Sequence, residues 1–143
     1  MAIVRSNYTN SQPITITLAS LADAATATSS SIDNSTDRFI SADIQIKFKT
    51  AAGTTALGVI QVYIIRSADG GTTFDDSAIN AEIIGAFNAN TDTTTFIVSL
   101  DTALNGQLPD FWKIAVKNLS GAAFDATAGN FSVKFIGKKF EII

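Results

Sequence analysis

Apolar and polar residues alternate along several segments of the chain with a period of two, which is typical of half-buried β-strands. The alternation is clearest over residues 40–49, where apolar side chains fall on one face and charged or amide side chains on the other. Residues 57–65 are apolar on both faces except at Gln61, which predicts a central strand covered on both sides. Shorter apolar or alternating segments cover residues 14–18, 83–87, 95–100, 112–117 and 131–135.

Turn-forming residues separate these segments, and no segment carries a convincing helical period. About eight strands spaced by turns predict an all-β fold, an antiparallel β-sandwich of the jelly-roll kind. We expect residues 13–143 to form this single domain and residues 1–12 to form an extended N-terminal arm.

The last predicted strand changes face part-way along. Phe131, Val133 and Phe135 share one face, whereas Phe140 and Ile142 have the opposite parity. A strand changes face only through an extra residue or a bend, so a bulge or corner is expected near Gly137. The alternative is that Phe140, Ile142 and Ile143 contact a partner chain.

Charged residues make up 16% of the 143-residue chain, against about 25% in an average protein. The polar surface therefore depends on hydroxyl and amide groups, which cost less to desolvate than charges. Such a surface suits contact with other subunits, and it equally suits an ordinary β-protein. The net charge is −3 and the basic residues are dispersed, so no nucleic-acid partner is predicted.

The chain has no apolar run long enough to span a bilayer, and its first residues do not resemble a signal peptide, which predicts synthesis in a cytoplasm and no membrane partner. The chain also has no cysteine and no histidine. It therefore has no thiolate nucleophile and lacks the commonest general base and metal ligand. We predict no enzymatic activity, no catalytic residue, no cofactor and no metal site. Paired carboxylates could cleave glycosides, but nothing singles out a pair.

Residues 67–74 match the S-x-D-x-G-x-T-F pattern of the Asp-box turns found in sialidase-like propellers. Asp69 would cap the turn with its carboxylate, glycine would supply positive φ, and Phe74 would anchor the hairpin. A well-made structural turn is the interpretation we favour. Three nearby carboxylates, Asp69, Asp75 and Asp76, leave open a calcium site, although their spacing is not that of an EF-hand.

The single tryptophan, Trp112, alternates with Ile114 and Val116, which favours a place in the core over a platform for stacking sugars.

Several stretches resemble small virion proteins of tailed bacteriophages, and the resemblance runs over most of the chain. The stretches are residues 20–25, 32–36, 62–63, 67–73, 108–109, 112–118 and 120–123. The resemblance implies a jelly-roll-like fold and a place on the particle as a head decoration protein, a head fibre or a tail component. It implies no catalytic residue.

We therefore expect a non-enzymatic capsid decoration protein of the virion, bound to the major capsid protein or other virion proteins. It would act as a homo-oligomer, with a trimer favoured by symmetry at a capsid axis. The alternative is a receptor- or carbohydrate-binding module on a tail or fibre. Both chain ends are expected to make the partner contacts, through Ile3, Val4, Arg5, Tyr8, Phe140, Ile142 and Ile143.

Overall fold

The computed structural model describes residues 4–8, 10–75 and 81–142, with side chains for residues 10–75, 81–103 and 106–140. These residues form ten strands, two short 3₁₀ helices (Thr102–Asn105 and Ala128–Asn130) and no α-helix. The strands are β1 (Val4–Tyr8), β2 (Gln12–Pro13), β3 (Thr26–Thr28), β4 (Ile32–Asp33), β5 (Ser41–Lys49), β6 (Val59–Ser67), β7 (Glu82–Asn88), β8 (Thr95–Asp101), β9 (Phe111–Leu119) and β10 (Ser132–Ile142).

The strands form two antiparallel sheets packed as a sandwich. The first sheet has the order β1-β10-β5-β8, with β2 also paired to β10. The second has the order β3-β9-β6-β7, with β4 also paired to β9. When β1 with β2, and β3 with β4, are each taken as one interrupted strand, eight strands remain. The first then pairs with the eighth, the second with the seventh, the third with the sixth and the fourth with the fifth. This nested order is a jelly roll, as the sequence predicts.

The core lies between the two sheets and comes from the alternations read in the sequence. The apolar face of β5 is completely buried, and β9 contributes Trp112, Ile114 and Val116 from the opposite sheet. The Trp112 ring meets the edge of Phe135, with 5.5 Å between ring centres. Each large side chain buried in this way stabilises the fold by about 1.5–3 kcal/mol relative to an exposed one.

The central strand β6 is covered on both faces, as its composition predicts. One face joins the main core, while Tyr63 and Ile65 on the other face are buried beneath Phe74 and Ala81. The prediction is wrong for Leu57, which precedes the strand and is 89% exposed.

Residues 14–18 were expected to form a strand, but they do not join a ladder. The Ile14 N–H donates to the Val133 carbonyl of the first sheet, whereas the Thr15 carbonyl accepts from Ser30, close to the second sheet. The segment therefore crosses from one sheet to the other. Its alternation persists because Ile14 and Leu18 are still buried.

The bulge expected near Gly137 is absent. Pairing between β10 and β5 runs from Ser132 to Lys138 without a shift in register. A bulge lies instead in β6, between Val62 and Tyr63. The change of parity has a different consequence, because Phe140 lies on the outward face of a continuous strand and is 62% exposed.

Candidate interaction surface

The two ends of the chain lie side by side at one edge of the first sheet. Strand β1 pairs antiparallel with the last part of β10, and this pair is called the chain-end edge. The expected contact residues fall in this pair, with the register Val4 to Ile142, Arg5 to Glu141, Ser6 to Phe140 and Tyr8 to Lys138. Ile3 and Ile143 lie outside the described residues. Pairing thus brings together the two ends of the chain, each of which carries some of the residues expected to contact a partner.

Strand β1 lies at one edge of its sheet, whose order is β1-β10-β5-β8. Among the described residues, β1 has a paired strand only on the β10 side. An edge strand presents N–H and C=O groups that can pair with another chain. Backbone pairing and an adjacent apolar side chain are the two elements of strand addition between proteins.

Phe140 supplies that apolar side chain. Its ring is 62% exposed, and its cross-strand neighbour on β1 is the small residue Ser6. Burying the exposed part of a phenylalanine side chain can contribute on the order of 1–2 kcal/mol to an association. The chain-end edge therefore combines available backbone groups with an apolar anchor.

An ion cluster on the same outward face connects three strands of the sheet, and its lysine lies two residues before Phe140. The Lys138 ammonium donates to Asp43 Oδ1 at 3.0 Å and to Asp101 Oδ2 at 2.6 Å, so it joins β10 to β5 and β8. Asp43 and Asp101 are opposite each other in register, and Lys138 offsets their repulsion.

The two ends of the Lys138–Asp101 bond both show shifted pKa values. Burial disfavours the charged form of Asp101, but hydrogen bonds from Lys138 and from the Ala103 N–H outweigh it and lower the pKa. Burial also opposes the charge on Lys138, yet its hydrogen bonds to Asp101 and Asp43 raise its pKa above the ordinary value. Both groups are therefore held in their charged forms at neutral pH.

The turn at residues 67–74 has the geometry that its motif predicts. Asp69 Oδ1 accepts from the Thr73 N–H at 2.8 Å, the Thr72 N–H at 3.2 Å and the Ser67 hydroxyl at 2.9 Å. These bonds, with that from the Thr73 backbone the largest cause, lower the pKa of Asp69. The turn places Phe74 over the buried Tyr63 cluster, which gives the motif a structural role.

The carboxylates named as a calcium alternative have other partners in this turn. Asp69 Oδ1 is engaged as described, and Asp75 Oδ2 accepts from the Arg66 N–H at 3.2 Å. Asp76 lies outside the described residues. Within the part of the chain that the structure describes, no three acidic side chains are grouped as metal ligands.

Trp112 is 1% exposed and belongs to the core, which confirms the favoured interpretation. The ring is therefore not a surface platform for sugars. The sequence interpretation missed two features of the surface, namely the Lys138 cluster and the exposed Leu57. The polar parity of Asp43 and Lys138 was visible in the sequence, but their proximity required knowledge of the strand order.

No protein-family model matches the sequence, and no curated protein sequence matches it either. Among the solved structures that match, two show how limited the similarity is. One is the CBM22-1 xylan-binding domain of Xyn10C from Paenibacillus barcinonensis, with a TM-score of 0.35 and 12% identity over 100% of this chain and 85% of that one. The other is the structure of infectious bursal disease virus Gx strain, with a TM-score of 0.36 and 17% identity over 98% of this chain and 41% of that one. The jelly-roll assignment rests on the strand order of the chain itself.

No helix in the described ranges is long and apolar enough to cross a membrane.

Proposed function

We propose that this jelly roll is a non-enzymatic structural protein of a tailed-bacteriophage particle, a decoration protein that binds the assembled shell as an oligomer. The observation that carries the proposal is the chain-end edge, where β1 pairs only with β10 among the described strands and lies next to the exposed Phe140. The partner is the major capsid protein or another virion protein that offers an extended segment and an apolar contact.

The protein would act through the area that it buries between neighbouring shell subunits. A ligand that binds only the assembled state shifts the equilibrium towards that state by RT ln(1 + [L]/Kd), which is about 2.7 kcal/mol at a free concentration of 100 Kd. The particle therefore becomes more resistant to heat without any chemical step. A threefold axis of the shell favours a trimer.

The exposed ring of Phe140 favours a second candidate function, a receptor- or carbohydrate-binding module on a tail or fibre. An exposed aromatic ring can stack on the face of a sugar ring, and Phe140 is 62% exposed. In this case the protein would be confined to the tail or to fibres.

The test uses phage particles in which mass spectrometry detects this chain. The chain is first stripped from the particles, and purified wild-type protein is then added back to them. Wild type is expected to sediment with the shells and to raise their disruption temperature. Phe140→Ser should bind about tenfold more weakly, which is the loss typical of an interface anchor. Ile83→Ser is the matched control, because Ile83 is also exposed, at 49%, but lies on β7 of the other sheet.

If the wild-type protein and Phe140→Ser bind the shells equally well, Phe140 and the chain-end edge are not part of the interface. Light scattering of the purified protein reports the mass of the oligomer, and a strict monomer would contradict the trimer. Binding of purified protein to a glycan array, together with no binding to shells, would support the second candidate instead.

A further inference from the structure

Strand β8 is the other edge of the first sheet, on the side away from β1. Its seven residues pair with β5 without a shift in register, and no other strand of the described chain pairs with them. A strand of this length spans about 20 Å at about 3.3 Å for each residue step. The strand therefore has a continuous row of backbone N–H and C=O groups without a partner strand.

This edge lacks the features that usually prevent an edge strand from pairing with another chain. Natural edges are protected by lysines, prolines, bulges or a covering loop. Residues 95–100 contain no charged residue and no proline, and their ladder with β5 has no bulge. Thr95, Ile97 and Ser99 are exposed, and no loop in the described ranges bonds to the backbone of residues 95–100. Such an edge favours addition of a further strand.

The inward face of β8 is incompletely covered at this edge. Phe96 stacks on Phe48 with 5.1 Å between ring centres, and Val98 is opposite Ile46. Phe48 and Ile46 are completely buried, whereas Phe96 and Val98, one strand further out, are only half-buried. A further strand beside β8 would bury more of both side chains.

Three lysines lie together on the outward face beside β8, although they are dispersed in the sequence. Lys47 and Lys49 are two residues apart on β5, opposite Ile97 and Thr95 of β8. Lys134 lies diagonally across from Lys47 on the neighbouring strand β10. Diagonal positions of an antiparallel pair are about 7–8 Å apart. The three residues are called the lysine cluster.

The lysine cluster has no ion pair among the described residues. The Lys49 charge acts on Asp125 through space, but the Asp125 carboxylate accepts its hydrogen bonds from its own loop. Asp43 and Asp101, further along the same face, are bound by Lys138. Because the whole chain has a net charge of −3, this group of cations is a local exception. The surface that complements it is acidic.

We propose that β8 is a site of strand addition for an extended acidic segment of a partner protein. The apolar residues of the segment would face inward over Phe96 and Val98, and its acidic residues would face outward. Outward positions lie two strand spacings, about 10 Å, from Lys47 and Lys49. A lysine and a glutamate side chain together bridge this distance, and their methylene stems would cover Ile97. Backbone pairing supplies affinity, and alternate side chains supply specificity.

The charges favour this occupant over two others. The one acidic residue of β8 is Asp101, which is already bound to Lys138, so pairing with a second copy would leave the lysine cluster without counter-charges. A nucleic acid is disfavoured because three lysines are a small footprint and Asp43 and Asp101 on the same face would repel phosphates. The inference goes beyond the proposed function, since it requires neither the chain-end edge nor a shell.

The test uses the purified full-length protein and a fluorescein-labelled peptide of about nine residues, the length of a typical strand, in which valine and glutamate alternate. Fluorescence anisotropy should show binding that weakens as the salt concentration rises. Hydrogen exchange should slow in residues 95–101 when the peptide is bound. The same peptide methylated on the backbone nitrogens of every second residue should bind at least about tenfold more weakly, because several hydrogen bonds are lost.

Charge reversal separates the lysine cluster from the rest of the surface. The double variant Lys47→Glu, Lys49→Glu should bind the glutamate peptide about tenfold more weakly, since attraction is replaced by repulsion. It should gain binding to a peptide with lysine in place of glutamate, which also shows that it folds. Lys117→Glu is the matched control and should bind as wild type does, because Lys117 is also half-buried but lies on β9 of the other sheet.

Each contrary outcome has its own signature. If the glutamate peptide binds without slower exchange in residues 95–101, or if backbone methylation has no effect, charge alone holds the peptide and strand addition is wrong. Tighter binding of a single-stranded oligonucleotide, or a lower oligomer mass for Ile97→Lys in light scattering, would assign the edge to nucleic acid or to a second copy. No binding at millimolar peptide would also overturn the proposal. None of these results alters the comparison of Phe140→Ser on shells, so the proposed function fails or stands separately.

Discussion

The ring of Phe39 lies directly over the backbone of Gly137, so closely that a Cβ on Gly137 would collide with it. Phe39 is buried and also meets the edge of Phe135, with 6.4 Å between ring centres. Gly137 therefore occupies its position because only a residue without a side chain leaves room for that ring. The glycine marks close packing in a strand whose pairing continues without a shift in register.

Gly137→Ala should lower the free energy of unfolding by about 1–3 kcal/mol, because the added methyl group overpacks the contact with Phe39. Urea unfolding followed by circular dichroism measures the change. Phe39→Leu on its own should also be destabilising, but the two costs should not add, since the smaller side chain leaves space for the methyl group. Strictly additive costs would show that Gly137 has another role.

Lys138→Met should lower the free energy of unfolding at pH 7 by about 0.5–1 kcal/mol, the range for partly exposed ion pairs. The folded-state pKa of Asp101 is below its ordinary 3.8, so its contribution is present at neutral pH and is lost as the pH falls through the folded value. The difference between wild type and variant should therefore shrink below about pH 3.8.

The pKa of Lys138 is raised above its ordinary 10.5, so its contribution is present below that pH and is lost as the pH rises through the folded value. The difference should shrink at high pH too. Lys134→Met is the control, since Lys134 is on the same face of β10 and has no ion pair among the described residues. A difference that does not depend on pH would contradict the cluster.

Asp69→Ala should open the turn at residues 67–74 and leave both sheets intact. The carboxylate that accepts from Thr72, Thr73 and Ser67 is removed, so Phe74 loses its anchor over Tyr63. Limited proteolysis should cut the variant several-fold faster between β6 and β7, with an unchanged circular dichroism spectrum. Asp37→Ala, the same change in another loop, should be cut at the wild-type rate. Equal rates for all three proteins would show that the turn does not depend on Asp69.

Trp112 provides a spectroscopic test of the core. Because its ring is 1% exposed, its fluorescence should be blue-shifted and resistant to acrylamide in the native protein, and should shift to the red on unfolding. Trp112→Ala should cost about 3–5 kcal/mol. Native emission that is quenched by acrylamide, or altered by added sugars, would place the ring at the surface.

The sequence predicts most of the strands of this fold because a strand with one buried face records that face in its own alternation. Strand β5 is the clearest case, since Ile44, Ile46 and Phe48 are all buried as the pattern requires. Where a residue's environment depends on distant parts of the chain, local patterns mislead. Gly137 has the sequence context of a bulge, yet its role is set by Phe39, far away along the chain.

The candidate surface was predictable only in part, for the same reason. Both chain ends could be proposed as contact segments from their apolar residues, but nothing local indicated that they pair with each other. The Lys138 cluster joins residues separated by 95 and 37 positions in the chain, so it becomes visible only in the folded structure. Leu57 looked like part of a buried strand because its neighbours in sequence are apolar.

The proposed function requires the protein to bind an assembled shell through its chain-end edge, and cryo-electron microscopy of particles that contain the chain can test it. We expect jelly-roll density on the outer surface of the shell, with β1 and the Phe140 end of β10 against a shell subunit. Density only at the tail tip or on fibres, or a chain-end edge that faces solvent on the shell, would contradict it.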